Sequence, residues 1–147
     1  MRGRIFRLVK FRTMHQAAPG VTEPVWERDV ISRVTRVGKW LRKFRLDELP
    51  QFVNILKGDM DFIGPRPEMA SNVKAMTEKI PYYMLRHLVR PGVTGWAQTR
   101  NGYSVSREDV TEKIRYDLYY IKNMSVLLDL QILLDTVKII LFGRGAK

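Results

Sequence analysis

Apolar residues recur every three or four positions in several stretches of the chain, and this spacing predicts α-helices. One helix is predicted over Asp29–Phe44, where an apolar stripe lies opposite a face of arginines and lysines. Another covers Met69–Lys79 and ends before Pro81. A further helix begins at Ser106, since a serine followed three residues later by Asp109 is a variant of the capping box.

The last predicted helix, Ser125–Phe142, is apolar on nearly all sides. Such a helix is buried, lies in a membrane interface or packs against a partner protein. Asp129, Asp135 and Lys138 interrupt it, so no stretch has the uncharged length that a membrane-spanning helix requires. We treat residues 125–142 as an apolar C-terminal helix.

Two shorter stretches favour β structure. Residues 5–14 alternate loosely between apolar and basic side chains and are rich in β-forming residues, which predicts a strand. Residues 93–98 follow a Pro91-Gly92 turn and predict a second, short strand. We therefore expect an α+β fold. It should be a mainly helical single domain with amphipathic membrane-interface helices and a small β element near residues 5–12 and 93–98.

The net charge of the chain limits the classes of partner that it is expected to bind. The 147 residues can form one domain with a core, and 26 lysines and arginines against 15 acidic residues give a net charge of +11. A chain this basic indicates an anionic partner, which could be a nucleic acid, a phospholipid surface or a phosphorylated small molecule. The absence of cysteine excludes disulfides and thiolate metal sites, and two histidines are too few for a histidine-based zinc site.

The most specific chemistry lies at two adjacent carboxylates, Asp47 and Glu48. As a helix N-cap, Asp47 would accept hydrogen bonds from the first amides, with Pro50 in the first turn, where no donor is needed. A helix N-terminus also binds phosphate, and a carboxylate held there among arginines stays ionised and can act as a nucleophile. Capping is the commoner role of such acids, and these residues alone leave both interpretations open.

Seven motifs that cover nearly the whole chain together resemble the bacterial sugar transferase family, the monotopic polyprenyl-phosphate phosphoglycosyl transferases. Each motif is weak alone, but the seven occur in the family's order. They are Lys10-Phe11-Arg12-Thr13-Met14, Arg36-Val37-Gly38, Leu46-Asp47-Glu48-Leu49-Pro50-Gln51, Gly58-Asp59-Met60, Gly64-Pro65-Arg66-Pro67-Glu68, Pro91-Gly92-Val93-Thr94-Gly95-Trp96-Ala97-Gln98 and Tyr116-Asp117-Leu118-Tyr119-Tyr120.

The resemblance implies that residues 1–147 are the catalytic domain of a larger member that initiates exopolysaccharide, capsule or O-antigen synthesis. Such enzymes transfer a sugar-1-phosphate from a nucleoside diphosphate sugar, usually a UDP-sugar, to polyprenol phosphate and release UMP. They work at the cytoplasmic face of the bacterial inner membrane, with Mg²⁺ and through a covalent phosphosugar intermediate on an aspartate. The basic composition suits an anionic membrane surface, where each Lys or Arg is worth about 1 kcal/mol.

The resemblance also implies roles for individual residues. Asp47 would be the nucleophile, and Glu48 would assist in metal binding or proton handling, so that the two acids hold Mg²⁺. Arg66 would contact the nucleotide or a phosphate, and Arg42 would be a second phosphate clamp. Asp117 is a candidate for the acceptor or metal side. The other predicted substrate-binding residues are Pro65 and Pro67, which restrict the backbone of Arg66, together with Lys10 and Arg12.

Three departures from the family pattern bear on function. Tyr103 stands where many members have an arginine, so Arg100 or Arg107 would have to replace that arginine, or the sugar differs. Asp61 stands where serine is usual and would add a negative charge near Arg66. The family's membrane-entering helix lies upstream of the first motif and is absent from this sequence. We therefore expect an N-terminally truncated domain with weak membrane insertion.

Two other function classes are weighed against the transferase. A nucleic-acid-binding domain would explain the charge of +11, but the sequence lacks a recognition motif and lacks aromatic residues interleaved in a basic strand. We therefore expect no nucleic-acid partner. A non-catalytic membrane-surface module would explain the charge as well, but charge alone explains neither the acid pair nor Pro65-Arg66-Pro67. The sequence leaves the oligomeric state open, and a homo-oligomer is compatible with it.

Overall fold

The computed structural model describes residues 3–15, 33–100 and 107–142. Within these ranges the chain is mainly helical with a small sheet, which confirms the predicted α+β class. The α-helices are α1 (Arg36–Lys43), α2 (Phe52–Leu56), α3 (Ala70–Lys79), α4 (Trp96–Arg100), α5 (Arg107–Lys122) and α6 (Val126–Phe142). The 3₁₀ helices are Leu46–Gln51 and Tyr83–Leu88, and the strands are β1 (Asp61–Ile63) and β2 (Gly92–Thr94).

The sheet brings two distant parts of the chain together. β1 pairs with β2 in parallel, in a register that sets Asp61 opposite Gly92. The backbones approach so closely that a Cβ atom on Gly92 would lie 2.1 Å from the main-chain nitrogen of Gly64. Beyond β1, the amide of Gly92 donates a hydrogen bond to the carbonyl of Pro65 at 3.0 Å. The pairing therefore fixes the position at which the chain leaves the sheet.

The prediction of strands over residues 5–12 and 93–98 is wrong for most of both ranges. Residues 5–12 form no strand at all, and an isolated antiparallel bridge joins Met14 to Val34. β-forming residues favour an extended backbone, but a strand also needs a neighbouring strand to pair with. The second range becomes helical at Trp96, where the Gln98 side chain donates back to the carbonyl of Val93 at 2.9 Å.

The N-terminal segment is held by the side chain of a buried asparagine and not by a neighbouring strand. Asn54 is 1% exposed, its Oδ1 accepts a hydrogen bond from the amide of Val9 at 3.0 Å, and its Nδ2 donates to the carbonyl of Arg7 at 2.9 Å. Further along, the amide of Phe11 donates to the carbonyl of Asp47 at 3.0 Å. These contacts lay the basic segment against the 3₁₀ helix that carries the acid pair.

Helix α1 is shorter than the predicted Asp29–Phe44. It begins at Arg36 because Thr35 is its N-cap, with Oγ1 accepting a hydrogen bond from the amide of Gly38 at 2.9 Å. Residues 33–35 precede the helix, and residues 29–32 lie outside the described ranges. Part of the predicted apolar stripe is exposed, since Val37 is 68% and Trp40 57% accessible.

Helix α5 lies at the centre of the buried core and contributes to both hydrophobic clusters seen in the described ranges. One cluster consists of Ile80, Tyr83 and Ile114, and the other consists of Tyr120, Leu128 and Ile132. The first joins α5 to α3 and to the second 3₁₀ helix, whereas the second joins it to α6. The helical spacing that predicted α3, α5 and α6 is confirmed.

Helix α6 is only partly covered. Leu128 and Ile132 are buried, whereas other apolar residues of this helix are well exposed, among them Leu127 at 80% and Leu141 at 71%. The buried side of α6 also contacts the sheet, since the hydroxyls of Thr94 and Thr136 lie 2.6 Å apart. Among the described helices, none combines the length and the apolar character needed to cross a bilayer.

Some sequence predictions fall outside the described residues and stay predictions. They concern Tyr103 and the capping serine Ser106. The side chains of Asp109 and Arg107 are likewise not described.

Replacing Asn54 tests how much its hydrogen bonds to the N-terminal segment contribute to stability. Asn54→Ala is expected to lower the free energy of unfolding by about 2 kcal/mol, because main-chain groups of Arg7 and Val9 lose their hydrogen-bond partner. The matched control is Asn123→Ala, at an exposed asparagine that donates to the carbonyl of Tyr119, and it should stay within about 0.5 kcal/mol. Urea unfolding measures both variants, and equal losses would contradict this account.

Candidate active site

The acid pair lies inside the first 3₁₀ helix, Leu46–Gln51, and does not cap it. The N-cap is Arg45, whose φ of 57° is in the left-handed region, and it makes no side-chain capping bond. The prediction that Asp47 is the N-cap is therefore wrong, because the turn at Arg45 starts the helix before Asp47. Both carboxylates follow this turn and are available for contacts outside the helix.

Glu48 is held in place by arginines. Its carboxylate Oε1 accepts a hydrogen bond from Arg66 Nη2 at 2.7 Å, and Arg45 Nη1 lies 3.6 Å from the same oxygen. The Glu48 side chain is 10% exposed, whereas that of Arg66 is 37% exposed. A charge-assisted hydrogen bond of this length at a nearly buried carboxylate is strong and directional. The contact therefore orients the Arg66 side chain, part of which is exposed.

Asp47 has a different environment from its neighbour. Its carboxylate Oδ1 is buried and accepts no hydrogen bond from any residue in the described part of the chain. Its main-chain carbonyl accepts from the amide of Phe11 at 3.0 Å, which fixes the backbone at this point. Buried polar atoms are nearly always paired in folded proteins, and Asp47 is one of several described residues with an unpaired one, so a cation bound here would supply the missing partner.

The predicted basic residues lie on two elements that contact the 3₁₀ helix of the acid pair. Lys10 and Arg12 flank Phe11 and are exposed, so they lie beside the main chain of Asp47. Arg42, in the last turn of α1, donates from Nε to the hydroxyl of Thr13 at 2.9 Å. These arginines and lysines make the surroundings of the two carboxylates strongly electropositive, which favours the binding of a polyanion.

The Pro65–Glu68 segment, which carries Arg66, is held by contacts with a buried arginine. Arg86 is 3% exposed, and its Nη2 donates to the main-chain carbonyl of Arg66 at 2.8 Å. Its Nη1 donates to the hydroxyl of Tyr83 at 3.0 Å and lies 3.8 Å from Glu68 Oε1. Glu68 is also paired with Lys113 of α5. The segment is thus tied to two helices of the core.

Asp117 lies in the interior, apart from the exposed basic residues. It is 2% exposed, and its Oδ2 lies 2.8 Å from Arg86 Nη2. Burial raises the pKa of the Asp117 carboxyl, while the adjacent guanidinium of Arg86 acts to lower it. The structure therefore brings Asp117 to Arg86, which holds Arg66, and does not place it in contact with the acid pair.

Asp61 and Arg100, the candidate replacement for the family's arginine, make contacts away from the acid pair. Arg100 lies over the ring of Trp96 at 4.2 Å, and its Nη2 is 3.3 Å from Asp135. Asp61 pairs with Arg90 at 3.4 Å. Arg100 therefore makes a cation–π contact with Trp96 and an ion pair with α6. The negative charge of Asp61 is paired with Arg90.

The acid pair fits a magnesium ion, although the described residues contain no ready-made cluster of metal ligands. No group of three histidine, cysteine or acidic residues comes together in the described ranges. Mg²⁺ is usually bound through one or two carboxylates together with substrate phosphates and water, so a larger protein cluster is not required. Asp47 offers a buried, unpaired carboxylate oxygen for such an ion. Glu48 is already paired with arginine, so Asp47 is the better ligand.

A cluster of arginines around two carboxylates on a helical domain is typical of a phosphate-handling enzyme. Comparison with known sequences places the protein within that class, because the sequence model described as bacterial sugar transferase matches residues 1–143. The chain therefore belongs to the bacterial sugar transferase family.

Three curated relatives give the comparison its detail. A UDP-N-acetylgalactosamine-undecaprenyl-phosphate N-acetylgalactosaminephosphotransferase from Aeromonas hydrophila is 51% identical over 98% of this chain and 34% of its own length. An undecaprenyl-phosphate glucose phosphotransferase from Komagataeibacter xylinus is 37% identical over 97% of this chain and 28% of its own. A UDP-glucose:undecaprenyl-phosphate glucose-1-phosphate transferase from Escherichia coli K12 is 40% identical over 93% and 30%. The chain thus spans about a third of each relative.

Sequence reasoning missed Arg86, which donates a hydrogen bond to the main-chain carbonyl of Arg66. Residues 82–89 form an apolar, aromatic segment, and the sequence pattern assigns no role to the single arginine within it. The signal that could have found it is a pair of opposite charges in otherwise apolar surroundings. Arg86 and Asp117 are such a pair, since a charge in an apolar segment is buried only when it is paired.

Removing Arg66 tests the pair it forms with Glu48. Arg66→Gln is expected to lower the free energy of unfolding by about 2 kcal/mol, because a nearly buried carboxylate loses its 2.7 Å partner. Combining it with Glu48→Gln should cost less than the sum of the two single changes. The control is Arg90→Gln, which breaks an exposed pair with Asp61 and should change stability by less than about 1 kcal/mol. Strict additivity in urea unfolding would show that Arg66 and Glu48 do not interact.

Proposed function

We propose that this chain is the catalytic part of a phosphoglycosyl transferase, which moves a sugar-1-phosphate from a UDP-sugar to a polyprenol phosphate. The observation that carries the proposal is the buried, unpaired carboxylate oxygen of Asp47, next to a Glu48 that is held by Arg66. The relatives support the substrate class, because their names join a sugar phosphotransferase activity to undecaprenyl phosphate.

In the first half of the reaction, a carboxylate oxygen of Asp47 would attack the phosphorus that carries the sugar. A bond would form between this oxygen and that phosphorus, while the bond to the bridging oxygen of the diphosphate breaks. The bridging oxygen leaves with its electron pair as part of UMP. The enzyme is left with a phosphosugar joined to Asp47 as an acyl phosphate.

In the second half, an oxygen of polyprenol phosphate would attack the same phosphorus. The acyl phosphate bond breaks, and the electron pair returns to the Asp47 carboxylate. The product is a polyprenol diphosphate-sugar, and the enzyme regains its starting form. Dividing the transfer into two displacements allows UMP to leave before the lipid phosphate is bound at the same position.

The cationic residues would stabilise charge during both displacements. A diphosphate carries several negative charges, so a carboxylate can approach it only where those charges are offset. Arg66 is suited to this role because its contact with Glu48 fixes its direction, while its side chain is 37% exposed. Lys10 and Arg12 lie beside Asp47, and Arg42 borders the site from α1.

Asp47, with Glu48 adjacent, would hold a magnesium ion together with the donor phosphates. When bound, the ion supplies positive charge that stabilises the phosphate oxygens in the transition state. The unpaired Oδ1 of Asp47 is the feature of the chain that fits this use.

The site would operate at the cytoplasmic face of the bacterial inner membrane, where a polyprenol phosphate is anchored. The net charge of +11 favours a surface of anionic lipid. Large apolar side chains are exposed next to basic ones, for example Trp40 and Phe44 around Lys43, and Ile5 near Arg4 and Arg7. Such neighbours suit the boundary between headgroups and acyl chains.

The proposal predicts that Asp47→Asn removes the reaction without unfolding the protein. UMP release from a UDP-sugar in the presence of polyprenol phosphate should fall by at least about 1,000-fold, because an amide cannot form the acyl phosphate. Asp61→Asn is the control, since Asp61 is exposed and pairs with Arg90 outside the site, and it should keep its rate within about 3-fold. Normal UMP release by a folded Asp47→Asn protein would refute Asp47 as the nucleophile.

A second prediction concerns divalent cations. Chelation with EDTA should stop UMP release, and adding Mg²⁺ in excess of the chelator should restore it, because the donor diphosphate needs its charge offset. Circular dichroism in EDTA should stay unchanged, since the described contacts that hold the fold are made between protein groups. An undiminished rate in EDTA would show that arginines and lysines alone stabilise the reaction.

A further inference from the structure

A buried ion pair in the described part of the chain is connected to the proposed site through the main chain of Arg66. Arg86 and Asp117 are 3% and 2% exposed, and their charged groups lie 2.8 Å apart. Burying two charges is costly unless they are paired, and this close contact offsets the cost although Arg86 Nε makes no hydrogen bond to a described residue. The nitrogen of Arg86 that contacts Asp117 also donates to the main-chain carbonyl of Arg66.

The carbonyl of Arg66 is a point at which the segment can be held. Residues 66–69 lie between β1 and α3 and have no regular secondary structure, and the prolines at 65 and 67 have no amide hydrogen to donate. The pairing with β2 reaches Pro65 and fixes the chain on one side. Beyond that point, Arg86 contacts the carbonyl of Arg66, and Lys113 contacts the side chain of Glu68.

We infer that Arg86 and Asp117 are positioning residues for the transfer reaction, which act by fixing the main chain of Arg66 so that its guanidinium meets Glu48 next to the nucleophile. The chain of contacts runs from Asp117 on α5 to Arg86, from Arg86 to the carbonyl of Arg66, and from the Arg66 side chain to Glu48. This inference rests on the proposed function for its effect on rate. Its effect on geometry is independent of that function.

An arginine suits this position better than a lysine does. Its planar guanidinium presents several N–H groups in fixed directions, and here they reach Asp117, the Arg66 carbonyl and the Tyr83 hydroxyl. Burial lowers the pKa of Arg86, but Asp117, Tyr83 and Glu68 together raise it by more, so Arg86 stays charged. Burial also raises the pKa of Tyr83, which keeps its hydroxyl neutral. Arg86→Lys would keep the charge beside Asp117 and lose the fixed directions.

The rate experiment compares Arg86→Lys with Arg66 present and with Arg66 replaced by alanine. With Arg66 present, Arg86→Lys should lower kcat/KM for the UDP-sugar by about 10-fold. In the Arg66→Ala background it should change kcat/KM by less than about 2-fold, because Arg86 then has no guanidinium to position. Arg90→Lys, at an exposed pair, is the matched control and should leave kcat/KM unchanged in both backgrounds. Equal losses in both backgrounds would overturn the inference, since Arg86 would then act on stability alone.

A milder variant gives the same comparison should Arg86→Lys fail to fold. Tyr83→Phe removes only the hydroxyl that Arg86 contacts at 3.0 Å. It should lower kcat/KM by about 3-fold with Arg66 present and leave it unchanged in the Arg66→Ala background. An equal effect in both backgrounds again contradicts positioning through Arg66.

A stability measurement tests the geometry without using the reaction. The coupling between Arg66 and Glu48 is obtained from urea unfolding of the single and double variants, Arg66→Ala, Glu48→Gln and both together. In the Tyr83→Phe and Arg86→Lys backgrounds this coupling should fall to half or less, because the guanidinium is no longer held toward Glu48. An unchanged coupling in both backgrounds would overturn the inference even where UMP release is normal. A reduced coupling would support it even where UMP release is absent, which separates its failure from that of the proposed function.

Discussion

The requirement that buried charges be paired determines much of this structure. Arg86 and Asp117 come from the second 3₁₀ helix and from α5, and neither can be removed from water unless the other is beside it. Their pairing brings these two helices together at one position. Because the same guanidinium also binds the carbonyl of Arg66, the segment that follows β1 is fixed there as well. The position of Arg66 in the site therefore depends on the buried pair of Arg86 and Asp117.

The two adjacent acids differ because their surroundings differ. Glu48 points to arginines and is paired at 2.7 Å, whereas Asp47 keeps a buried oxygen without a partner in the described ranges. Adjacent residues on a tight 3₁₀ turn project in different directions, so one can be fixed while the other stays available. The left-handed turn at Arg45 starts this helix before the two acids, so neither acid is its N-cap. One acid can then orient a cation while the other reacts.

Local periodicity predicted α3, α5 and α6 because those helices bury one side of a regular pattern. It failed for residues 5–14. Their backbone is held by the side chain of Asn54, which is 45 residues from Val9 in the sequence, and no local pattern contains such a contact. It also missed β1, since three residues are too few to show alternation. For the site, the motifs identified Asp47, Glu48 and Arg66. The role of Arg86 depends on folding and could be suspected only from a charge in an apolar segment.

The central claim is that Asp47 carries the sugar phosphate between donor and acceptor. Intact-mass spectrometry of the purified protein, incubated with Mg²⁺ and a panel of UDP-sugars without lipid acceptor, tests it most directly. The account predicts a mass gain equal to one sugar phosphate, located at Asp47 by fragmentation, lost in Asp47→Asn and discharged when polyprenol phosphate is added. A folded protein that transfers sugar phosphate to the lipid without ever carrying this adduct, or that carries it on another residue, would contradict the account.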